Sequence, residues 1–409
     1  MSKRQRMLLG LFFILIAVLF FITPVQASEV SLQGEIIQGR FLVPIRGIFE
    51  ALGADVAWDG HTNTVTGKRG HTTVILTIDS NLARVNGDHI QLDVPATLIN
   101  GRTFGPLRFI SEALGADVKW NEEDRVATIT QAGTVIVVEL LPVFELPDTV
   151  MQGELVAFYA RHLPRGGMPV MELHLDHPLQ YYPYKDGYVA YMPTHYGTTP
   201  GEYRIAYGLE GEPLQESILT VKARDFHIQH LTVHGSIVAS TRNEAAYAQF
   251  SRYFPKARES SADERYYDQP FLLPVSGRLT TEFGQTRYVN NAPTSSRHSG
   301  LDIAAPTGTP VSATNRGRVT LSMNLILTGN TIVIDHGQGL FSVYYHMHQL
   351  FVEEGELVER GKTIGTVGST GFSTGPHLHF TMSYYDHNLE PGYFLVGEPI
   401  TYKNAHRHL

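Results

Sequence analysis

Alternation of apolar and polar positions is the dominant pattern along the chain, and it predicts a protein built mainly from β-strands. The segments 72–78 and 126–130 alternate with period two, so that one face of each strand would be apolar. From residue 141 to about residue 223, short apolar segments are separated by Gly, Pro and Asp turns. This spacing favours a small antiparallel β-sandwich. We therefore predict a multidomain, mainly β fold.

A duplicated segment marks the first domain. Gly39–Trp58 reads GRFLVPIRGIFEALGADVAW, and Gly101–Trp120 repeats it 62 residues later as GRTFGPLRFISEALGADVKW. In each copy, a short apolar strand leads into a helix whose apolar residues are spaced for one buried face, and a glycine stands where the helix should end. The repeat predicts two small α+β units that pack together over residues 30–140.

The first 27 residues have the pattern of a secretory signal. Basic residues precede an apolar run from Met7 to Ile22, and Val25–Ala27 forms a small-residue cleavage site after Pro24. Because the run is short for a membrane span, we predict a cleaved signal peptide, with an uncleaved N-terminal anchor as the alternative. We predict no membrane span after this segment, so either interpretation places the body of the protein outside the cytoplasm.

Composition narrows the chemistry that the protein can perform. Acidic residues outnumber basic ones by 40 to 32, for a formal charge of −8, which argues against a nucleic-acid binder. The chain has no cysteine, which excludes disulfides, thiolate-bound metals and cysteine nucleophiles. Nine of the 19 histidines stand at or after His298. Any metal or acid–base chemistry must therefore come from histidines and carboxylates.

Histidine motifs are concentrated after residue 270. His298 and Asp302 form an H-x-x-x-D motif, and His377 and His379 form an H-x-H motif. Alternation around the second motif predicts a strand on which both histidines share one face. A second strand is predicted to pair with residues 330–335 through a Gly-Gln-Gly turn. One face of that strand would carry four polar side chains, Ser342, Tyr344, His346 and His348.

Zinc in a protein without cysteine is held by imidazole nitrogens and carboxylate oxygens, and a catalytic site has three such ligands with one open position. His298, Asp302 and one histidine of the H-x-H motif would supply this set. The other histidine of that motif would then be free for proton transfer. Each motif alone is weak evidence, because both occur by chance in many chains. Their combination with a third histidine on a nearby strand is much more specific.

Residues 270–396 resemble the lysostaphin-like zinc metallopeptidases that cut peptidoglycan peptides. The likeness rests on motifs distributed along the domain: Pro274–Gly277, Phe283-Gly284, His298–Asp302, Ala305–Val311, Gly329–Thr331, Asp335–Gly337, Tyr344–Met347, Val352–Gly355, Gly368–Gly371 and Ser373–Phe380. The resemblance implies an antiparallel β-sheet peptidase domain of the duplicated hybrid type. It also implies one zinc ion per domain and a peptidoglycan peptide as substrate.

The same resemblance implies roles for individual residues. It implies three zinc ligands, His298, Asp302 and His379. It implies two catalytic histidines, His346 and His377, without dividing the base and acid roles between them. It implies substrate contacts at Asn330 and Tyr344. Two other histidines fall outside the motif positions, and we interpret His348 as a rim residue and His336 as structural.

Two further resemblances concern the segments that precede the peptidase domain. Residues 35–140 are similar to the copper amine oxidase N-terminal domain-like repeats of bacterial surface proteins, which implies a stalk or wall-associated module. Copper is not implied, because the histidines of this region are scattered. The turn at Thr199–Tyr203 is similar to one in the Ig-like domain that precedes the catalytic domain of some secreted cell-wall peptidases.

These patterns together predict six segments: a signal peptide at 1–27, a duplicated α+β stalk domain at 30–140, an Ig-like β domain at 141–224, a polar linker with a helix near Thr241 at 225–268, a lysostaphin-like zinc peptidase domain at 269–400 and a tail at 401–409. The predicted function is a secreted, cell-wall-associated zinc endopeptidase that remodels or lyses peptidoglycan, without a nucleic-acid partner. The alternative is a catalytically silent member of the same fold that regulates or binds the wall. All five ligand and catalytic positions are present, which favours the enzyme.

Overall fold

The computed structural model describes residues 29–99, 101–121, 125–173 and 179–395. The predicted signal peptide and tail lie outside these residues. The chain divides into two units, one of residues up to Pro142 together with Pro164–Gly166, and one of Val143–Leu163 together with the residues from Gly167 onwards. Within the described ranges, every helix is too short or too polar to cross a bilayer.

In its described residues, the first unit contains two sheets and two short helices. Its strands are β1 (Glu29–Ile37), β2 (Arg40–Pro44), β3 (Asp55–Asp59), β4 (Thr64–Arg69), β5 (Thr72–Thr77), β6 (Leu82–Val85), β7 (Asp88–Gln91), β8 (Thr97–Ile99), β9 (Arg102–Pro106), β10 (Asp117–Asn121), β11 (Val126–Gln131) and β12 (Thr134–Leu140). Its helices are α1 (Ile45–Ala51) and α2 (Leu107–Ala113). The sheet orders are β10-β11-β12-β1-β2-β9-β8 and β3-β4-β5-β6-β7.

The repeated sequence folds in the same way twice, as strand, helix and three strands in each copy. Gly53 and Gly115 follow the helices with φ angles of 73° and 77°, a left-handed conformation that glycine adopts without strain. Ile48 and Ile110 lie on the inner faces of the two helices and are fully buried in one shared core. The apolar spacing in the sequence therefore corresponds to the face that each helix buries.

The second unit begins with two four-stranded sheets. Their strands are β13 (Val143–Glu145), β14 (Thr149–Met151), β15 (Leu155–Arg161), β16 (Pro169–Leu173), β17 (Tyr181–Tyr184), β18 (Gly187–Pro193), β19 (Gly201–Leu209) and β20 (Gln215–Lys222). The sheet orders are β13-β15-β18-β17 and β14-β20-β19-β16. One face of the first sheet shares a core with the second sheet, whereas its other face, which includes Tyr159 and Tyr191, joins the core of the following domain.

Residues 225–268, predicted as a polar linker, pack against the C-terminal domain. They contain β21 (Ile228–Leu231), α3 (Gly235–Thr241), α4 (Glu244–Tyr253) and a 3₁₀ turn at Lys256–Arg258. A helix begins three residues after Thr241, where Asn243 caps α4 by accepting a hydrogen bond from Ala246 N. Ser261 Oγ and Ala262 N both donate to the Asp335 carboxylate, so the acidic stretch is fixed to the domain.

The C-terminal domain is organised around one antiparallel sheet with the order β22-β25-β33-β29-β28-β27-β31. Its elements are β22 (Arg278–Thr281), β23 (Thr286–Val289), β24 (Ala292–Arg297), β25 (Leu301–Ala304), β26 (Pro310–Ser312), β27 (Gly317–Leu325), β28 (Gly329–Asp335), β29 (Leu340–Met347), β30 (Gln349–Leu350), β31 (Leu357–Val358), β32 (Thr363–Thr366), β33 (His377–Tyr384), β34 (His387–Leu389) and α5 (Pro391–Phe394). Strand β34 pairs with β33, and two three-stranded sheets, β26-β32-β30 and β21-β23-β24, complete the domain.

The central strands of this sheet are buried on both faces. Every residue of β29 is buried, and β33 is buried except at His377. Strand β28 pairs with β29 around the Gly337–Gly339 turn, as the sequence predicts. A fully buried pair of strands fixes side-chain positions closely, because neighbouring side chains leave little room for other rotamers. The histidine motifs therefore stand on the most rigid part of the domain.

Candidate metal centre and active site

Three predicted ligands meet at the junction of β25 and β33. Asp302 and His379 are direct partners in the antiparallel register of these strands, so their side chains leave the sheet on the same side. His298 stands three residues before the start of β25, and its side chain reaches the same point. All three residues are buried, with exposed fractions of 2% for His298, 6% for Asp302 and 5% for His379. The H-x-x-x-D and H-x-H motifs thus converge through strand pairing.

The three donor atoms are close enough to share one cation. Asp302 Oδ1 is 3.0 Å from His298 Nε2 and 2.8 Å from His379 Nδ1, and the two nitrogens are 2.9 Å apart. Two imidazole nitrogens and one carboxylate oxygen form a donor set that suits zinc. Facing lone pairs repel one another unless a positive charge lies between them, so the residues fit a bound metal ion.

Hydrogen bonds on the outer side orient two of these ligands. His298 Nδ1 donates to Glu282 O over 2.8 Å, which leaves Nε2 with its lone pair directed into the site. His379 Nε2 lies 2.9 Å from Thr381 Oγ1 and 3.1 Å from Ser299 Oγ. Such outer hydrogen bonds fix the tautomer and ring orientation that metal binding needs.

His346 reaches the site because β29 is irregular at this point. Tyr345 and His346 together stand opposite one residue of β28, Thr331, which is a β-bulge. His346 has a φ angle of 64°, an uncommon left-handed conformation for a residue other than glycine. Its ring centroid lies 4.8 Å from that of His377. The bulge therefore turns His346 towards the H-x-H motif.

His346 and His377 have the same hydrogen-bonding pattern. His346 Nδ1 donates to Thr370 O, and His377 Nδ1 donates to Gly375 O, each over 2.8 Å. The Nε2 atom of each ring is therefore left as an acceptor. His377 Nε2 lies 3.8 Å from Asp302 Oδ1, beside the donor set. His377 therefore presents an acceptor atom close to Asp302, and the ring of His346 lies 6.2 Å from that of His379.

Burial determines the protonation state of this cluster. It lowers the pKa of His346 to about 3, with the neighbouring His377 and His379 adding to the effect. Burial likewise lowers the pKa of His379 to about 4. Burial alone would raise the pKa of Asp302, but its interactions with the imidazoles of His298 and His379 bring that pKa well below its usual value. At neutral pH the carboxylate is ionised while His346 and His379 are neutral, as metal binding requires.

The predicted polar face of β29 is wrong. Tyr344 is fully buried in the core, with its ring 5.5 Å from that of Phe380, and its hydroxyl accepts from Thr314 N. Its neighbour Tyr345 instead stacks on His379, with ring centroids 5.0 Å apart and planes 8° apart. Strict alternation would place Tyr344 and His346 together, but the bulge shifts only the second of them.

The side chains of the two predicted substrate contacts, Tyr344 and Asn330, form hydrogen bonds within the domain. Tyr344 Oη also receives the Ser342 hydroxyl, so no side of this phenol faces the cavity. Asn330 donates from Nδ2 to His348 O and accepts from Asn324 Nδ2. The substrate contacts at Tyr344 and Asn330 stay predictions, and Asn330 joins β28 to the end of β29. His348 itself is exposed, and His336 is fully buried, as expected for a rim and a structural residue.

Replacing Tyr344 with Phe should lower the free energy of unfolding by about 1–3 kcal/mol, because Thr314 N would be left buried without an acceptor. The turnover rate should stay near that of the wild type. Tyr247→Phe is the matched control, since this tyrosine is half exposed. Urea unfolding and steady-state kinetics of both variants test this. A large loss of turnover without a loss of stability would support Tyr344 as a substrate contact.

Sequence reasoning missed two residues beside the donor set. Arg287 of β23 donates from Nη2 to Asp302 Oδ2 over 2.5 Å, and Gln229 of β21 accepts from Arg287 Nε over 2.8 Å. Both line a cavity of about 250 Å³ that also exposes Asp302, His346 and His377. Neither residue belongs to a histidine or carboxylate motif. The signal that would have found them is the pairing of β21 with β23, which alternation cannot show.

The fold and the site together define the class of protein. A His–Asp–His donor set with two further histidines in a cleft is the arrangement that metal-dependent hydrolases use. Residues 296–391 match peptidase family M23, and residues 25–129 match the copper amine oxidase N-terminal domain. Residues 296–391 are therefore similar to the M23 peptidases, and the matches confirm both family resemblances seen in the sequence.

Individual relatives resemble only part of the chain. Peptidoglycan DD-endopeptidase ShyA of Vibrio cholerae is 32% identical over 145 residues, which are 32% of this chain and 34% of that protein. DD-carboxypeptidase/endopeptidase Mpg of Neisseria meningitidis is 46% identical over 83 residues, 20% of this chain and 19% of that protein. The solved catalytic domain of lysostaphin from Staphylococcus simulans is 30% identical, with 29% of this chain and 92% of that domain covered and a TM-score of 0.26. The matched part of the chain thus spans about a third of ShyA and about a fifth of Mpg.

Proposed function

We propose that the protein is a zinc metalloendopeptidase that hydrolyses peptide bonds in the stem peptides or cross-bridges of peptidoglycan. The observation that carries this proposal is the convergence of His298 Nε2, Asp302 Oδ1 and His379 Nδ1 within 3.0 Å of one another. The names of the relatives support the substrate, because ShyA and Mpg are both endopeptidases and ShyA acts on peptidoglycan.

In this proposal, His298, Asp302 and His379 hold one zinc ion. Zinc in such a site polarises a scissile carbonyl and activates water for attack at neutral pH. The ligands' own contribution is orientation. Glu282 O fixes the tautomer of His298, and the two hydroxyls beside His379 Nε2 keep that ring in place. A site held in this way loses little freedom when the ion binds.

His346 and His377 act as proton carriers in the same proposal. Each ring has its Nδ1 hydrogen bonded to a backbone carbonyl, so Nε2 is the atom that accepts a proton from the attacking water. Once protonated, the same atom can donate to the leaving amine or to the developing oxyanion. The low pKa of His346, about 3, keeps this residue neutral before reaction. Between them, the two rings can accept a proton from the attacking water and donate a proton to the leaving amine or the oxyanion.

The remaining segments are assigned in the same proposal. Residues 30–140 are a duplicated α+β stalk that associates with the cell wall, supported by the matching strand and helix order of the two repeats. Residues 141–224 are an Ig-like domain, supported by two facing four-stranded sheets with a shared core. Residues 1–27 direct the chain out of the cytoplasm, so that the peptidase domain at 269–400 works at the wall.

The test is digestion of purified peptidoglycan by the full chain loaded with zinc. We expect new free amino groups, about one bound zinc per chain, and muropeptides whose masses identify the cleaved bond. His379→Ala is the matched negative control, since it removes one ligand. A zinc-loaded wild-type protein that releases no amino groups from peptidoglycan would contradict the proposal.

A further inference from the structure

We propose that Arg287 is a positioning residue that sets the metal affinity of the site by holding the outer oxygen of Asp302, and that Gln229 holds Arg287 in place. This inference deepens the proposed function and rests on it for the identity of the metal. It assigns a role to two residues outside the segment that matches the peptidase family, 296–391.

The Asp302 carboxylate has a different partner at each oxygen. Oδ1 faces His298 Nε2 and His379 Nδ1, whereas Oδ2 accepts from Arg287 Nη2 over 2.5 Å. Arg287 and Asp302 are both largely buried, with side-chain exposures of 19% and 9%. A carboxylate that is held at one oxygen cannot rotate freely, so the other oxygen stays directed at the donor set. The arrangement favours a ligand that binds through a single oxygen.

Gln229 fixes the arginine from the neighbouring strand. β21 and β23 pair in parallel with Gln229 directly opposite Arg287, so both side chains lie on the same face. Gln229 Oε1 accepts from Arg287 Nε over 2.8 Å, and Gln229 Nε2 donates to Thr281 Oγ1 over 2.7 Å. The amide is bonded at both ends, and the guanidinium is bonded at two different nitrogens. The chain of contacts therefore runs from β22 through β21 and β23 to the metal ligand.

Arginine is suited to this position for a geometric reason. Its planar guanidinium presents donors at fixed angles, so Nε can bond to Gln229 while Nη2 bonds to Asp302. A lysine has the same charge but concentrates it at one nitrogen, which cannot hold both acceptors in this geometry. Coulomb repulsion between Arg287 and a bound cation opposes binding, so removing the charge alone would tighten it. Loss of the orienting hydrogen bond should therefore weaken metal binding, whereas loss of the positive charge should strengthen it.

The test measures zinc affinity of the full chain by competition with a chromophoric chelator. Arg287→Met and Arg287→Lys should both weaken zinc binding by about 10–100-fold, and Gln229→Ala should weaken it by a smaller factor. Activity at limiting zinc should fall in parallel and recover with excess zinc, with KM unchanged. Arg316→Met is the matched control, because its guanidinium pairs with Glu359 at a partly exposed position.

The outcomes separate this inference from the proposed function. Zinc affinity of Arg287→Met that equals or exceeds that of the wild type would overturn the inference, whatever the activity. If Arg287→Met does not fold, Gln229→Ala decides the matter by the same criterion. Weakened zinc binding in the variants, with no peptidoglycan cleavage by the wild type, would support the inference and contradict the proposed function.

Discussion

Replacing His377 or His346 with Ala should reduce kcat on peptidoglycan by about two to four orders of magnitude while zinc remains bound. Each of these rings has its Nδ1 fixed by a carbonyl, Gly375 O or Thr370 O, and leaves Nε2 as a proton acceptor beside the donor set. Neither ring is among the three groups whose atoms converge on one point. Proton transfer should therefore be lost without loss of the metal.

His379→Ala should behave differently from these two variants. Its Nδ1 lies within 3.0 Å of both other donors, so its removal leaves two ligands and should abolish zinc binding together with activity. His348→Ala is the matched control, because this histidine lies one residue beyond β29 and its side chain is exposed. It should bind zinc and turn over like the wild type. Elemental analysis of zinc and release of amino groups measure the two properties separately.

Zinc content and activity, measured side by side in these variants, distinguish metal ligands from proton carriers. Wild-type activity in His346→Ala would show that this histidine has no part in catalysis, although it faces His377 at 4.8 Å. Loss of zinc from His377→Ala would instead make this residue a ligand. Equal effects at His348 and His346 would remove the significance that we give to the bulge.

Phe380→Ala should lower the free energy of unfolding by about 3–5 kcal/mol, the second large effect that we expect. Phe380 stands on β33 between His379 and Thr381, is fully buried, and packs beside Tyr344. The neighbouring strands β25 and β29 are paired with β33 on both sides and cannot close the cavity without breaking register. Most of the lost packing would therefore remain uncompensated.

Phe351→Ala is the matched control for this substitution. Its side chain is 52% exposed, so the same chemical change should alter stability by no more than about 0.5 kcal/mol. Pulse proteolysis across a urea gradient can follow the second unit on its own. Similar losses in the two variants would mean that β33 is not the centre of the fold. At low urea, Phe380→Ala should retain zinc, because none of the ligands is changed.

Local patterns in the sequence predict the ligand strands well. Alternation correctly places His377 and His379 on one face of β33, because this strand is regular and fully paired along its length. The Gly337–Gly339 turn is also predictable, since glycine at positive φ is the usual residue for a tight connection. Each of these features depends on residues that are close together in sequence.

The bulge on β29 could not be predicted from alternation. It depends on the register of β28, which places one residue, Thr331, opposite both Tyr345 and His346. A period-two pattern assumes that no residue is inserted, so it assigned Tyr344 to the wrong face. Alternation and the family resemblance both pointed to His346, but neither gave a geometric reason for its approach to His377. The structure supplies that reason in a backbone conformation rather than in a side-chain pattern.

Contacts between distant segments were the other feature that the sequence could not provide. Gln229 and Arg287 are 58 residues apart, and the pairing of β21 with β23 brings them together. The polar composition of residues 225–268 predicts a linker, because composition does not show which of its residues contact a distant strand. Ser261 and Ala262 show this, since both bind Asp335 although the acidic residues around them are exposed.

The position of β21 has a practical consequence for protein engineering. A fusion protein that contained only residues 296–391 would lack β21 and β23. It would therefore also lack Gln229 and Arg287, which hold Asp302 in place. One that began at residue 269 would keep β23 but leave its outer edge without a partner, and unpaired edges promote aggregation. A transplant that begins before Ile228 would avoid both defects. The part of the chain that holds Asp302 in place is therefore considerably longer than the segment that matches the peptidase family.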